Sequence, residues 1–330
     1  VSNTIISVKN LTKQYQAEQA GGIRNISFDI NRGDVVAIIG ESGSGKSTLL
    51  KSIFGLLKTD AGEVFFEDKR VLGPDEQLIP GHKQMKMVTQ DFSLNIYAKV
   101  YDNIASQLSN TDLKTKADKT LAIMEHLRIS HLQNKKIIEL SGGEQQRVAI
   151  AKAMVSDTQV LLLDEPFSQV DALLKNQLRA DIKRVASETG VTVILVSHDP
   201  ADGLFLADQL LIIKDGELLQ TGKPVDIYQH PKHIYTAQIL GNAVVLTRDE
   251  AEKIGLKTDK QFVVFYPEWA EINNSWNSRR FEVIDVYYKG FYDELLVERK
   301  GVNIRALQLN RGENKKNDHV QLNISHFLEF

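Results

Sequence analysis

The chain contains no cysteine. That removes disulfides, thiolate metal sites and cysteine nucleophiles, and says little about compartment. No apolar run approaches the roughly 20 residues a membrane-spanning helix needs, and the N-terminus lacks the pattern of a signal peptide. A formal net charge of -3 with an ordinary charged fraction offers no polybasic surface, so no nucleic-acid partner is expected. No internal repeat, low-complexity tract or long disordered tail is evident. The expectation is a soluble chain that reaches a membrane only through a partner. Its 330 residues leave room for roughly two domains.

What is present is organised around Gly40-Glu41-Ser42-Gly43-Ser44-Gly45-Lys46-Ser47-Thr48, a G-x-x-x-x-G-K-S-T loop. Val35 to Ile39 before it is an unbroken apolar, mostly β-branched run, as in a strand buried on both faces. Leu49 to Phe54 after it reads as a short helix that Gly55 can close in a left-handed cap. Strand, glycine loop and helix are the context that makes this pattern a phosphate cradle rather than a chance glycine turn. The glycines let backbone N–H groups surround the α- and β-phosphates of a nucleotide. Lys46 is placed to reach the β- and γ-phosphates, Ser47 to ligate Mg²⁺, and the helix N-terminus adds partial positive charge.

Along the chain, Ile5 to Val8 and the alternating Ile26 to Ile30 read as strands, as do Glu63 to Phe66 and Met85 to Gln90. From about residue 92 to 155 the pattern becomes helical, with Leu121, Met124 and Leu127 at helical spacing. Val160 to Leu163 is a buried strand ending in Asp164-Glu165-Pro166, and the following helix carries Leu174, Leu178, Ile182 and Val185 on one stripe up to Gly190. Val191 to Val196 is a further strand ending at Ser197-His198-Asp199, and Lys214-Asp215-Gly216 marks a hairpin. After Gly241-Asn242 the helical stripes give way to strand-like runs at Phe262–Tyr266, Phe281–Tyr288, Leu295–Glu298 and Val320–Ile324, with a polar loop over Asn310–Asp318. Residues 242–330 therefore read as a small all-β domain, of the barrel kind.

Two carboxylates at the carboxyl edge of a parallel sheet lie where α/β folds bind ligands. Asp164 is suited to hold Mg²⁺ through its water shell, and Glu165 to orient or deprotonate an attacking water. Ser141-Gly142-Gly143-Glu144 fits a capping box, with Ser141 as N-cap and Glu144 reaching back. A helix N-terminus with a hydroxyl and two glycines is also a second phosphate surface, which needs a nucleotide held by another subunit.

At this point Leu140-Ser141-Gly142-Gly143-Glu144-Gln145-Gln146-Arg147 resembles the signature motif of ABC ATPases in the form seen in importers. The order of motifs is also that family's, over residues 1–241: P-loop, glutamine loop, signature, acidic strand end, D-loop and switch histidine. The resemblance implies an α/β P-loop NTPase cassette with a helical subdomain at about 92–155, using ATP and Mg²⁺. Tyr15 is then the aromatic that stacks on adenine, although by itself it reads as a half-buried strand tyrosine. Gln90 touches Mg²⁺ and the attacking water and relays to the membrane partner. His198 contacts the γ-phosphate. Ser141, Gly142, Gly143 and Gln146 face the nucleotide of the opposite copy. Ser168-Gln169-Val170-Asp171 occupies the D-loop, which more often reads Ser-Asn/Ala-Leu-Asp.

The stretch from Gly222 to Gly241, with Tyr228 and Pro231, resembles the linker of maltose-, polyamine-, sulfate- and ferric-iron-type importer ATPases, in which an OB-like (TOBE) domain follows. Tyr266-Pro267-Glu268-Trp269 is similar to the Arg-Pro-Glu element of such domains, with tyrosine in place of arginine. The implied protein is a cytoplasmic ATPase at the inner face of the plasma membrane. Its implied partners are a second copy, permease subunits and, indirectly, a substrate-binding protein. A soluble ABC ATPase or a nucleotide-gated regulator are the alternatives; the first usually carries two cassettes or a long coiled coil, which this chain lacks.

Overall fold

Val35–Ile39 is buried at all five positions, as an unbroken aliphatic strand must be when both faces are covered. It lies inside a six-stranded sheet ordered Glu217–Gly222, Gln209–Lys214, Val35–Ile39, Thr192–Ser197, Val160–Asp164, Met85–Val88. All neighbours pair in parallel except the first two, which form the antiparallel hairpin through Lys214-Asp215-Gly216. Parallel pairing brings the carboxyl ends of the strands at residues 39, 164 and 197 to one edge, the edge that must carry the site. This is a computed structural model, and it describes residues 3–15, 22–273, 280–309 and 312–330.

A second, antiparallel sheet is ordered Ile23–Asn31, Thr4–Lys13, Ala61–Phe66, Lys69–Arg70. Its Ile26, Phe28 and Ile30 face one core together with Val36, Ile38 and the Leu49, Leu50 and Ile53 stripe of the helix Lys46–Ile53. The glycine loop is thereby held between two packed layers. Gly55 adopts φ 79 after this helix, as a left-handed cap requires.

The helical stretch contains Val100–Ala105, Leu113–His126 and Gly142–Met154. Asp112 starts the second by accepting N–H bonds from Lys114 and Thr115 at 3.0 and 3.1 Å. The long helix Ala172–Thr189 ends on Gly190 at φ 69.

The chain separates into two compact units, residues 1–227 and 228–330. The change of pattern at Gly241-Asn242 coincides with the end of the helix Ile234–Gly241, where Asn242 supplies the left-handed cap at φ 50. That helix belongs to the second unit.

The second unit holds a three-stranded sheet (Val244–Thr247, Phe262–Phe265, Leu328–Glu329) and a five-stranded one ordered Ala270–Asn273, His319–Ile324, Arg280–Tyr288, Asp293–Arg299, Val302–Gln308. Phe281, Val283, Leu295, Val297, Ile304 and Val320 form its core. Asn310 and Arg311, at the start of the expected polar loop, lie outside the described residues. A further helix, Arg248–Ile254, lies between the first two of these strands. Thr247 and Glu250 cap it reciprocally and Gly255 closes it at φ 95, so its signals were local and present in the sequence.

Tyr266 is fully buried. Its ring stacks on Tyr228 at 4.2 Å and meets the edge of Trp269 at 4.7 Å, and its hydroxyl donates to the Tyr228 carbonyl at 2.8 Å. Trp269 in turn packs edge-on to His326 at 4.4 Å. Burial pushes the phenols of Tyr228 and Tyr266 well above the ordinary tyrosine range. At the position where resembling domains carry arginine, this chain has a core aromatic.

Candidate active site

The loop's shape follows from its glycines. A Cβ on Gly40 would lie 2.3 Å from the Ile213 carbonyl oxygen and 2.6 Å from Ser44 Oγ, so no other residue fits there. Gly43 and Gly45 adopt φ 83 and 99, which turns the chain sharply into the helix Lys46–Ile53. Lys46 is 5% exposed, and its Nζ donates to the carbonyls of Gly40 at 2.8 Å and Glu41 at 2.7 Å. Burial lowers its pKa, while Glu165, Asp164 and Glu41 pull it back up. A desolvated cation among loop amides is a strong phosphate ligand.

Ser47 Oγ donates to Asp164 Oδ1 at 2.8 Å, which joins the helix start to the end of the strand Val160–Asp164. The next strand over is Thr192–Ser197, in parallel register with Asp164 opposite Val196. Glu165 and His198 therefore leave adjacent strands side by side. Glu165 takes a left-handed backbone at φ 51, pinned by its N–H on Val196 O at 3.1 Å and by Ser168 Oγ on its carbonyl at 2.9 Å. Such a conformation costs a non-glycine residue about 1–3 kcal/mol and persists only where tertiary bonds fix it. It leaves Glu165 Oε2 2.6 Å from His198 Nδ1.

Other expected residues lie further out. The Tyr15 hydroxyl is 3.4 Å from Thr48 Oγ1, at the side of the loop. Glu41, Ser42 and Gly43 are exposed. Gln90 is also exposed, two residues beyond the end of the strand Met85–Val88, and its carbonyl accepts Gln169 Nε2 at 3.3 Å. Ser141 makes the expected capping box: its N–H and Oγ donate to Glu144 Oε2 at 2.8 and 2.9 Å. These bonds hold the Glu144 carboxyl below its ordinary pKa against the opposing effect of burial. Gly142 is where the D-loop backbone touches the signature helix, since a Cβ there would be 2.7 Å from Gln169 O.

Gln146 requires a correction. It is 2% exposed on the inward face of the helix Gly142–Met154, and a buried amide there presents nothing to a nucleotide. Two further contacts had no local signal. Lys152 Nζ donates to Ser93 O at 2.7 Å, tying the same helix to the segment after Gln90. Arg147 Nε lies 3.2 Å from Asp181 Oδ2 in the helix Ala172–Thr189. Among the described residues no cluster of three or more histidine or acidic side chains forms a self-sufficient metal site.

An amide-lined loop with a buried lysine, facing a carboxylate edge of the same parallel sheet, is the arrangement of a P-loop nucleotide hydrolase. Residues 23–168 match the ABC transporter family. The spermidine/putrescine import ATP-binding protein PotA of Mycoplasma capricolum is 33% identical over 321 residues, covering 90% of this chain and 89% of that protein. The glucose import ATP-binding protein GlcV of Saccharolobus solfataricus is 37% identical over 242 residues, covering 72% of this chain and 68% of that protein. A solved dimeric ATP-binding cassette, in a post-hydrolysis state with ADP and Pi, is 27% identical with a TM-score of 0.55, over 67% of this chain and 99% of that one. The chain belongs to the family of ABC importer ATP-binding subunits, and it is an ATPase.

Proposed function

We propose that two identical copies of this chain close around two ATP molecules and drive a membrane permease from the inner face of the membrane, with Glu165 as the general base. The observation that carries this reading is the 2.6 Å contact between Glu165 and His198 at the carboxyl edge that also holds Lys46. Lys46 and the loop amides bind the β- and γ-phosphates. His198 orients Glu165 through Nδ1 and turns its other nitrogen to the γ-phosphate. Glu165 takes the proton of the attacking water. Tyr15 lies against the adenine.

The oxygen pair Ser47 Oγ and Asp164 Oδ1 suits Mg²⁺, which prefers hard oxygen donors and keeps several waters, and Gln90 completes the set. When bound, the ion supplies neutralisation of phosphate charge. Ser141 and Gly143, at a helix N-terminus with no phosphate of their own, face the nucleotide of the opposite copy. A substrate-binding protein would deliver cargo to the permease. The cargo is left to those partners, since relatives named for polyamine and for glucose import resemble this chain to a similar degree.

Glu165→Gln tests the reading. Loss of a general base typically lowers turnover by about 10²- to 10⁴-fold, or roughly 3–5 kcal/mol of barrier. ATP binding should survive, and the variant should elute as a dimer on size exclusion in ATP and Mg²⁺. Near-normal turnover would remove Glu165 as the base.

A further inference from the structure

The long helix Ala172–Thr189 carries an arginine that the catalytic reading does not use. Arg179 is 8% exposed, and its guanidinium is spent on the start of the helix Pro200–Leu206, including its N-cap Asp199, and on Asn176 of its own helix. Nε donates to Asp202 Oδ1 at 2.7 Å, Nη2 to the same oxygen and to Asp199 Oδ2 at 3.2 Å, and Nη1 to Asn176 Oδ1 at 2.9 Å. Asp202 is 1% exposed, and its second oxygen accepts the hydroxyl of Ser197. Ser197 Oγ accepts the Asp199 N–H at 3.0 Å.

His198 is the residue between Ser197 and Asp199. Both of its neighbours in the chain therefore hang from one guanidinium–carboxylate pair. On its other side the same guanidinium carbon lies 5.7 Å from the ring centroid of Phe167, within cation–π range. Phe167 is itself buried, two residues past Glu165. One side chain thus meets side chains on both segments that carry the Glu165–His198 contact, Asp199 next to His198 and Phe167 two residues past Glu165.

A buried ion pair is a poor device for stability alone, because apolar residues of the same volume often stabilise as well or better. Its fixed geometry is what apolar residues cannot copy, since a planar guanidinium sets both the distance and the direction of its partners. Burial raises the Asp202 carboxyl above its ordinary pKa, while the bonds from Ser197 and Arg179 pull it down. The pair is held by those directed bonds.

We propose that Arg179 is a positioning residue for ATP hydrolysis: with Asp202 and Ser197 it fixes the backbone on both sides of His198 and so sets the reach of His198 Nδ1 to Glu165. The proposal rests on the roles given to Glu165 and His198 above.

The test is a kinetic cycle on the full chain. Arg179→Gln/Asp202→Asn removes both charges together, keeps hydrogen-bonding groups and leaves no lone buried ion. It should lower kcat by about tenfold or more, as misplacement of catalytic groups by about 1 Å does, while KM for ATP changes less than about threefold. Arg179→Lys keeps the charge without the fork and should fall in between. In a His198→Ala background the neutral pair should cost less than about a further twofold, because residues acting through one another are not additive.

A kcat within about twofold of wild type for the neutral pair overturns the proposal, as does a full tenfold cost persisting in the His198→Ala background. If the neutral pair does not fold, Ser197→Ala removes one link only. It should give a smaller loss confined to kcat; an unchanged kcat there is likewise fatal. Failure of the parent reading is visible separately, as near-normal turnover of His198→Ala alone, and that result sinks both.

Discussion

Asp181 sets up a graded test of how the signature helix is held. Its carboxylate is 1% exposed and faces three arginines from three helical elements or their ends. Arg147 Nε on the signature helix is 3.2 Å away with its side chain 12% exposed, Arg184 Nη2 is 3.3 Å away at 32%, and Arg128 Nε is 3.7 Å away at 57%. Arg147 Nε and Asp181 Oδ2 are close yet not aligned as a hydrogen bond, so their attraction is Coulombic in a poorly solvated place.

Asp181→Asn keeps the shape and removes the charge, which strands Arg147. Breaking a buried pair on one side costs about 3–5 kcal/mol. Arg128→Ala removes an exposed, distant partner and should cost less than about 1 kcal/mol. Arg147→Met/Asp181→Leu, which removes both charges, should recover most of the loss. The assay is urea unfolding followed by far-UV circular dichroism, which weights the helices of the first unit. If Asp181→Asn costs no more than Arg128→Ala, burial does not govern this cluster and the argument fails.

Two further outcomes follow from single contacts. Glu144 sits in the capping box with a pKa below its ordinary 4.5, so its contribution is complete above pH 4.5 and is lost as pH falls through the lower folded value; Glu144→Gln should cost about 1 kcal/mol at neutral pH and flatten that acid limb in a pH series of urea midpoints. Tyr266→Phe removes only the bond to the Tyr228 carbonyl and should cost the second unit about 0.5–1.5 kcal/mol in thermal unfolding, against about 3–5 kcal/mol for Tyr266→Ala, which also opens a cavity.

The parts of this architecture that could be read from the sequence are those with short-range causes. Val35–Ile39 and Val160–Asp164 are unbroken apolar runs, and Gly190 stops its helix where a left-handed residue is needed. Serine and glutamate three apart predicted the capping box at Ser141. The strand expected to reach Gln90 stops at Val88 instead, because the chain turns from Thr89, whose carbonyl accepts the Phe92 N–H at 3.0 Å. Lys152 donates to the Ser93 carbonyl at the end of that turn, a contact that no local pattern announces. Gln146 was misplaced for the same reason: which face of an amphipathic helix turns inward is decided by what packs against it. Arg179 with Asp202, and Arg147 with Asp181, are separated by 23 and 34 positions, and polar pairs that far apart leave no periodic trace.

The aromatic cluster around Trp269 has a practical consequence. Both tryptophans of the chain, Trp269 and Trp276, fall after residue 227, and the first unit has none. Indole emission is therefore a private channel for the second unit. In the Asp181→Asn experiment the ellipticity transition should move while the emission transition stays where it is.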